Sequence, residues 1–160
     1  MREQDNTEAA ARLLRTQRWA ALATVDDTGT PHASMVAYAA EADLTVLYLH
    51  LSRLAAHTGH LLSRADASLV VPQPDPGTGD PQTLPRLTLT GRAEALAPDA
   101  EAYRHGRALY LARLPEAEPR FDFADFVLFR LQWQRARYVG GFGRAQTLSA
   151  AALQRNAGVP

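Results

Sequence analysis

Short runs that favour β-strands are the feature that most constrains what this chain can fold into. The runs are WAALATV from Trp19, HASMVAYA from His32, LTVLYLH from Leu44, residues 67–71, PRLTLTGRAEAL from Pro85, DFVLFRLQ from Asp125 and ARYVGGFG from Ala136. Strands joined mostly by tight turns favour a mainly antiparallel barrel over a doubly wound parallel sheet. The sequence therefore predicts an α+β, mainly β fold of about six or seven mostly antiparallel strands with flanking helices.

Helical periodicity interrupts these runs at a few places. Residues 6–17 have a polar start and apolar residues at helical spacing, which predicts a short amphipathic helix. From Ser52 the apolar residues fall on one helical face, so a helix is predicted to begin there. A longer helix is predicted over 98–114 and a short one over 149–154. Residues 72–85 are rich in proline and glycine and predict a mobile surface loop.

Length and composition exclude several classes of protein. The 160 residues predict a single domain, 1–160, with a real apolar core. The 17 basic and 17 acidic residues cancel, which makes nucleic acid and anionic membranes unlikely partners. The absence of cysteine excludes disulfides, thiolate metal sites and a cysteine nucleophile. Without an apolar leader or a membrane span, the expected location is the cytoplasm.

The junction between the strand from Leu44 and the following helix suits a phosphate. A helix start exposes unpaired N–H groups and a partial positive charge. Ser52, Arg53 and His57 add a hydroxyl, a fixed cation and an imidazole at this point. The alternative is that Ser52 only caps the helix while Arg53 is solvated, and spacing alone leaves both interpretations open.

Ser34 and Arg86 are two further candidates for binding a ligand. Ser34 is a small polar residue within an apolar strand, where a flat ligand could meet the backbone, although a solvent-facing serine has the same pattern. Arg86 follows Pro85 at a strand start and could donate to an anionic or carbonyl-bearing ligand, as could an exposed arginine of no function.

The sequence gives little support for a metal site or for a common nucleotide-binding motif. His57 and His60 lie three residues apart on the predicted helix, but no carboxylate or cysteine stands at a matching spacing, so no metal site is predicted. The sequence contains no P-loop, no G-x-G-x-x-G and no G-x-S-x-G motif. The glycines at 140, 141 and 143 allow a sharp turn or a close approach to a ligand.

Four segments in order resemble the signatures of a known family. They are LATVDDTGTPHASMVAYA, HLSRLAAHTGHL, PRLTLTGRA and RYVGGFGRA, which together span residues 22–145. The chain resembles the FMN-binding split β-barrels related to pyridoxamine 5'-phosphate oxidase, and HTGHL, PRLTLTG and VGGFGRA are similar to their haem-utilisation branch. The resemblance implies an FMN-binding split barrel and a homodimer whose cofactor site lies at the subunit interface.

The resemblance also implies which positions contact the flavin. The isoalloxazine would rest against the strand at Ser34, Met35, Val36 and Ala37. The flavin edge and phosphate would be held at Tyr48, Leu49, His50, Ser52 and Arg53, with His57 and Thr58 within reach. Arg86 would point at the ring, and residues 133–144 of the other subunit would complete the site.

The chain departs from the family pattern in five respects. The oxidases carry an arginine where this chain has Ser34 and a lysine where it has Leu54, so two cations are missing. The C-terminal arginine and histidine motif for pyridoxal phosphate is absent, which argues against vitamin B6 synthesis. Haem-degrading members typically offer a C-terminal histidine, and here the last histidine is His105. The extra C-terminal domain of longer haem-utilisation proteins is also missing.

Three functions follow as hypotheses. The first is an FMN-dependent oxidoreductase acting on an unidentified small molecule, with the flavin ring carrying the redox chemistry. The second is a haem-binding or haem-degrading protein, with a histidine as axial ligand. The third is a non-catalytic flavin-binding module.

The aromatic-rich segment FDFADFVLFRLQW predicts a surface that a homodimer would cover, since strand alternation separates Phe126 from Phe121, Phe123 and Phe129.

Overall fold

A computed structural model describes residues 2–141 and 145–156, with side chains from residue 5. The helices are α1 (Arg2–Thr16), α2 (Ala56–Ser63), α3 (Glu101–Arg113) and α4 (Ala150–Arg155), and two 3₁₀ segments cover Pro81–Thr83 and Pro115–Asp122. The strands are β1 (Trp19–Val25), β2 (Pro31–Ala37), β3 (Ala39–Ala40), β4 (Val46–Ser52), β5 (Asp66–Pro72), β6 (Arg86–Ala95), β7 (Phe126–Val139) and β8 (Ala145–Leu148).

The described strands form one antiparallel sheet in the order β2-β1-β5-β6-β7-β4-β3, with β8 paired to β7. The predicted mainly antiparallel barrel with flanking helices is therefore confirmed. The order leaves β2 at one edge of the sheet and β3, beside β4, at the other. The barrel is thus split between the β2 edge and the edge that β3 and β4 form.

Two hydrophobic cores lie on opposite sides of β4. Leu47, Leu49 and Leu51 point into the barrel core, which α1 closes with Ala10 and Leu14. The alternate residues of β4 face the other way, where α3 and the segment Pro115–Asp122 cover a second core. The second core contains Ala39, Tyr48, Leu96, Tyr110, Leu114, Ala117 and Leu128. Burial on both faces explains why this strand reads as a nearly continuous apolar run.

The last two predicted strands are one continuous strand, β7, of 14 residues. The sequence suggested a break between residues 132 and 136, but Trp133 is buried there and its indole N–H donates to the Leu44 carbonyl at 2.7 Å. Continuity is kept because β6 pairs with β7 from Phe129 to Val139, with a register shift between Thr90 and Gly91. Residues 140 and 141 follow β7, and residue 143 lies outside the described residues.

Helix starts differ from the predicted ones by more than one residue at three places, one of which is α3, which begins at Glu101 rather than at residue 98. Helix α1 begins at Arg2 rather than at residue 6. Helix α2 begins at Ala56 rather than near Ser52, because β4 continues through Ser52 and a turn at residues 53–55 intervenes. Residues 73–80 form the predicted exposed loop, whose base is closed by a hydrogen bond from the Gln73 N–H to the Pro85 carbonyl. The mobility of that loop stays a prediction.

Candidate functional site

The end of β4 meets the start of α2 through a compact set of hydrogen bonds. The Ser52 hydroxyl donates to the Asp125 carboxylate at 2.7 Å and accepts from the Leu54 N–H at 3.2 Å. The Thr58 hydroxyl donates to the Ser52 carbonyl, and Arg53 is exposed. Ser52 therefore caps no helix, since the residue at the start of α2 is Ala55. With a carboxylate beside its hydroxyl, Ser52 is a poor contact for a phosphate.

Three imidazoles gather beside this junction, on α2 and β2, and we call His32, His57 and His60 the imidazole cluster. A 2.9 Å hydrogen bond joins Ser34 Oγ to His57 Nδ1, and another of 2.9 Å joins Thr24 Oγ1 to His60 Nδ1. The rings of His32 and His60 meet edge to face, with their centroids 5.4 Å apart. All three histidines are half-buried.

Burial lowers the pKa of His57, and the neighbouring His32 and His60 lower it further. The ring is therefore neutral in the free protein at neutral pH, and an arriving anion would favour its protonation. Across the described residues, no group of three or more His, Asp or Glu side chains is arranged to hold a metal ion.

The other residues predicted to contact the flavin are dispersed over the molecule. Val36 and Leu49 are buried in the barrel core, whereas Tyr48 and His50 face the second core. Met35 lies on the outer face of β2, 45% exposed, and Ala37 is half-buried. At β2 and β4 a ligand could therefore meet mainly backbone atoms and the side chains of Ser34 and Met35.

Arg86 is far from the junction within one chain. Ser52 pairs with Phe126 at the start of β7, whereas Arg86 pairs with Val139 at its end. The intervening strand has a contour of roughly 40 Å. The Arg86 guanidinium donates to the carbonyls of Gln82 and Leu84, so that it supports the loop before β6.

His50 has an environment that the sequence did not predict. Its ring stacks on Phe121 with centroids 3.7 Å apart, and Phe126 and Tyr110 pack nearby. Burial, followed by the nearby Arg120 and Arg107, lowers its pKa to about 4. His50 Nδ1 is buried and has no hydrogen-bond partner among the residues that the structure describes. An unpaired buried nitrogen of this kind costs stability.

Two clefts lie near α2. A cleft of about 450 Å³ is lined by Asp26, Asp27, Thr28, Gly59, His60 and Ser63, and so adjoins the imidazole cluster. A cleft of about 710 Å³ lies between the end of α2 and strands β6 and β7, where Arg92, Arg130 and Trp133 contribute to its wall. Of the predicted site residues, the second cleft contains only Trp133 and Gln134, the start of the segment 133–144. None of the helices in the described part of the chain is long and apolar enough to cross a membrane.

The fold of this chain is similar to that of proteins of known structure. The structure is similar to that of a haem-binding protein from Mycobacterium smegmatis, with 30% identity and a TM-score of 0.82. The match covers 94% of this chain and 60% of that protein, so the chain spans about three fifths of its length. A search of curated protein sequences finds no match.

Two structures of lower identity share the fold. An FAD-binding protein from Mesorhizobium loti is 20% identical with a TM-score of 0.63, over 80% of this chain and 87% of that one. A protein related to general stress protein 26, of the pyridoxinephosphate oxidase family, from Clostridium acetobutylicum is 14% identical with a TM-score of 0.70, over 94% and 98%. These neighbours confirm the split-barrel fold that the sequence motifs indicated.

The family itself is established by a family model that covers nearly the whole chain. The model, described as CREG, beta-barrel, matches residues 1–153. The matched range includes all eight described strands and the start of α4. This chain therefore belongs to the CREG β-barrel family.

Proposed function

We propose that the protein binds FMN at the β2 edge of its sheet and acts as a flavin-dependent oxidoreductase on a small molecule. The observation that carries this proposal is the hydrogen-bonded pair of Ser34 and His57 at that edge, within the imidazole cluster. The bound flavin would supply the redox chemistry, while the chain binds and orients it. The FAD-binding structural neighbour supports a flavin as ligand.

The donor set near β2 fits a phosphorylated flavin. β2 pairs only with β1 among the described strands, so its outer backbone N–H and C=O groups are free to meet the polar edge of an isoalloxazine. A hydroxyl and an imidazole are joined at Ser34 and His57, and with the imidazole protonated both can donate to phosphate oxygens. Met35 adds an apolar, polarisable side chain on the outer face.

A titration with flavin tests this proposal. We expect FMN fluorescence to be quenched by the purified protein at micromolar concentration, and reduced nicotinamide to bleach the absorbance of the bound flavin. Free FMN with the same nicotinamide is the control. Failure to quench FMN would contradict the proposal, and binding without reduction would favour a non-catalytic flavin-binding module.

Haem is a second candidate ligand, supported by the haem-binding protein of Mycobacterium smegmatis. His32, His57 and His60 are half-buried imidazoles, the usual axial ligands of haem iron. A haem titration should then shift the Soret band, and replacing one histidine of the cluster with alanine should abolish the shift. An unchanged Soret band would remove this candidate.

We also infer a homodimer, on a surface different from the one that the sequence suggested. Phe121, Phe126 and Phe129 pack within the two cores or against His50, so the aromatic segment leaves mainly Phe123 exposed. The outer face of β1 and β2 is apolar instead. It consists of Trp19, Ala21, Ala23, Val25, Pro31, Ala33, Met35 and Ala37. Trp19 is 54% exposed there, and a second copy would cover it.

Met35→Glu should therefore convert the dimer to a monomer, because a carboxylate would be buried in an apolar interface. Light scattering at micromolar concentration measures the mass. Leu62→Glu is the matched control, since Leu62 is similarly exposed, at 47%, but lies on α2. If the site is shared between subunits, Met35→Glu also weakens FMN binding. A wild-type monomer with full flavin occupancy would contradict both inferences.

A further inference from the structure

The imidazole cluster combines three titratable groups with few opposing charges. His57 lies on α2 and hydrogen-bonds to Ser34 of β2, while His60 lies one turn later and hydrogen-bonds to Thr24 of β1. His32 of β2 meets the His60 ring. Both hydrogen bonds use Nδ1, which leaves the Nε2 atoms of His57 and His60 available for a ligand.

The charged groups around the cluster are few. Asp26, in the β1–β2 turn, interacts electrostatically with His60. Its carboxylate also accepts hydrogen bonds from the Thr28 hydroxyl and the Thr30 N–H. At the C-cap of α2, the Arg64 guanidinium donates to the Asp27 carbonyl, 3.5 Å away. The groups that act on His57 through their charge are His32 and His60. An anion that contacts His57 and Ser34 therefore meets imidazoles first.

We propose that His57, assisted by His32 and His60, binds the phosphate of FMN in its protonated form, so that flavin binding strengthens as the pH falls from 8 to 6. This inference rests on the proposed function. Where the oxidases of the resembled family carry an arginine, this chain has Ser34 hydrogen-bonded to His57. A permanent cation is thus replaced by one that requires a proton.

The sign of the effect follows from linkage between proton and ligand binding. In the free protein, burial and the neighbouring imidazoles oppose protonation of His57. A phosphate dianion offsets this cost, so binding takes up a proton near neutral pH. Each proton taken up strengthens binding by up to tenfold per pH unit. The second pKa of a phosphate monoester is about 6, so the dianion is lost only towards the lower end of this range.

Riboflavin, which lacks the phosphate, separates this inference from flavin binding itself. We expect fluorescence titration to give FMN binding at least about tenfold tighter at pH 6 than at pH 8, with riboflavin changing less than about twofold. Inorganic phosphate should compete with FMN at pH 6 but not with riboflavin. Equal pH dependence for FMN and riboflavin would overturn the inference while leaving flavin binding intact. Failure of both flavins to bind at either pH would overturn the proposed function as well.

Two variants sharpen the test. Ser34→Arg supplies a permanent cation, so FMN should bind more tightly than to the wild type at pH 8. His57→Gln should bring FMN affinity at pH 6 down to that of riboflavin, whose own affinity is retained. If His57→Gln still binds FMN about tenfold more tightly at pH 6 than at pH 8, the imidazole is not the group responsible and the inference fails. Riboflavin binding by His57→Gln shows that the variant is folded.

Discussion

Gly91→Ala should lower the free energy of unfolding by about 3 kcal/mol, a large fraction of the stability of a domain of this size. A Cβ at Gly91 would lie 2.2 Å from the Gln132 carbonyl oxygen and 2.5 Å from the Trp133 Cα. Both are backbone atoms of β7. They cannot move aside easily, because the Trp133 side chain is buried and hydrogen-bonded to Leu44.

Chemical denaturation measures this difference, and Gly59→Ala is the matched control. Gly59 lies within α2, and a Cβ there would have no atom within 4 Å. Alanine is the better helix former, so Gly59→Ala should be neutral or stabilising by up to about 1 kcal/mol. Gly91→Ala with wild-type stability would contradict the close approach of β6 and β7 at the register shift.

His50→Phe should make the protein more stable in acid, by about 3 kcal/mol at pH 5. Burial lowers the pKa of His50 to about 4, whereas an unfolded histidine titrates near the ordinary value of 6.5. Between these values the unfolded chain holds the proton and the folded one does not, so stability is full above pH 6.5 and falls as the pH drops towards 4. This linkage accounts for about 2 kcal/mol at pH 5, and the unpaired Nδ1 for about 1 kcal/mol.

Phenylalanine suits the position because His50 already stacks on Phe121. Urea unfolding of wild type and variant at pH 5 and pH 8 gives the comparison, and His57 is present in both proteins, so its titration cancels. At pH 8 the imidazole is neutral in both states, and the gain should shrink to about 1 kcal/mol. A gain of equal size at both pH values would show that the proton plays no part.

Local patterns in the sequence were sufficient for strands β1, β2, β5 and β6 and for most of the helices. Alternation at Ala20, Leu22 and Thr24 places one face of β1 in the core, and the Asp26–Gly29 turn joins it to β2 as predicted. Helix α3 follows its predicted residues closely. These elements were predictable because periodicity and turn chemistry act between residues that are close in the chain.

The boundaries that failed depend on contacts between distant residues. β7 continues past residue 132 because β6 follows it and because Trp133 reaches Leu44. β4 continues to Ser52 because Ser52 pairs with Phe126 of β7. The Asp125 carboxylate then accepts a hydrogen bond from the Ser52 hydroxyl. No local pattern near Ser52 or Trp133 carries this information.

The sequence by itself determined the composition of the site, that is, which hydroxyls, imidazoles and arginines the chain offers. Only the tertiary structure decided which of them meet. Packing of α2 against β1 and β2 brings His57 to Ser34, 23 residues away, and His60 to Thr24, 36 residues away. The same topology sends Arg86 to the far end of β7 and His50 into the second core. Side chains far apart in sequence are brought together by burial of apolar surface, which is not directional, so their encounters follow from the whole fold rather than from any one segment.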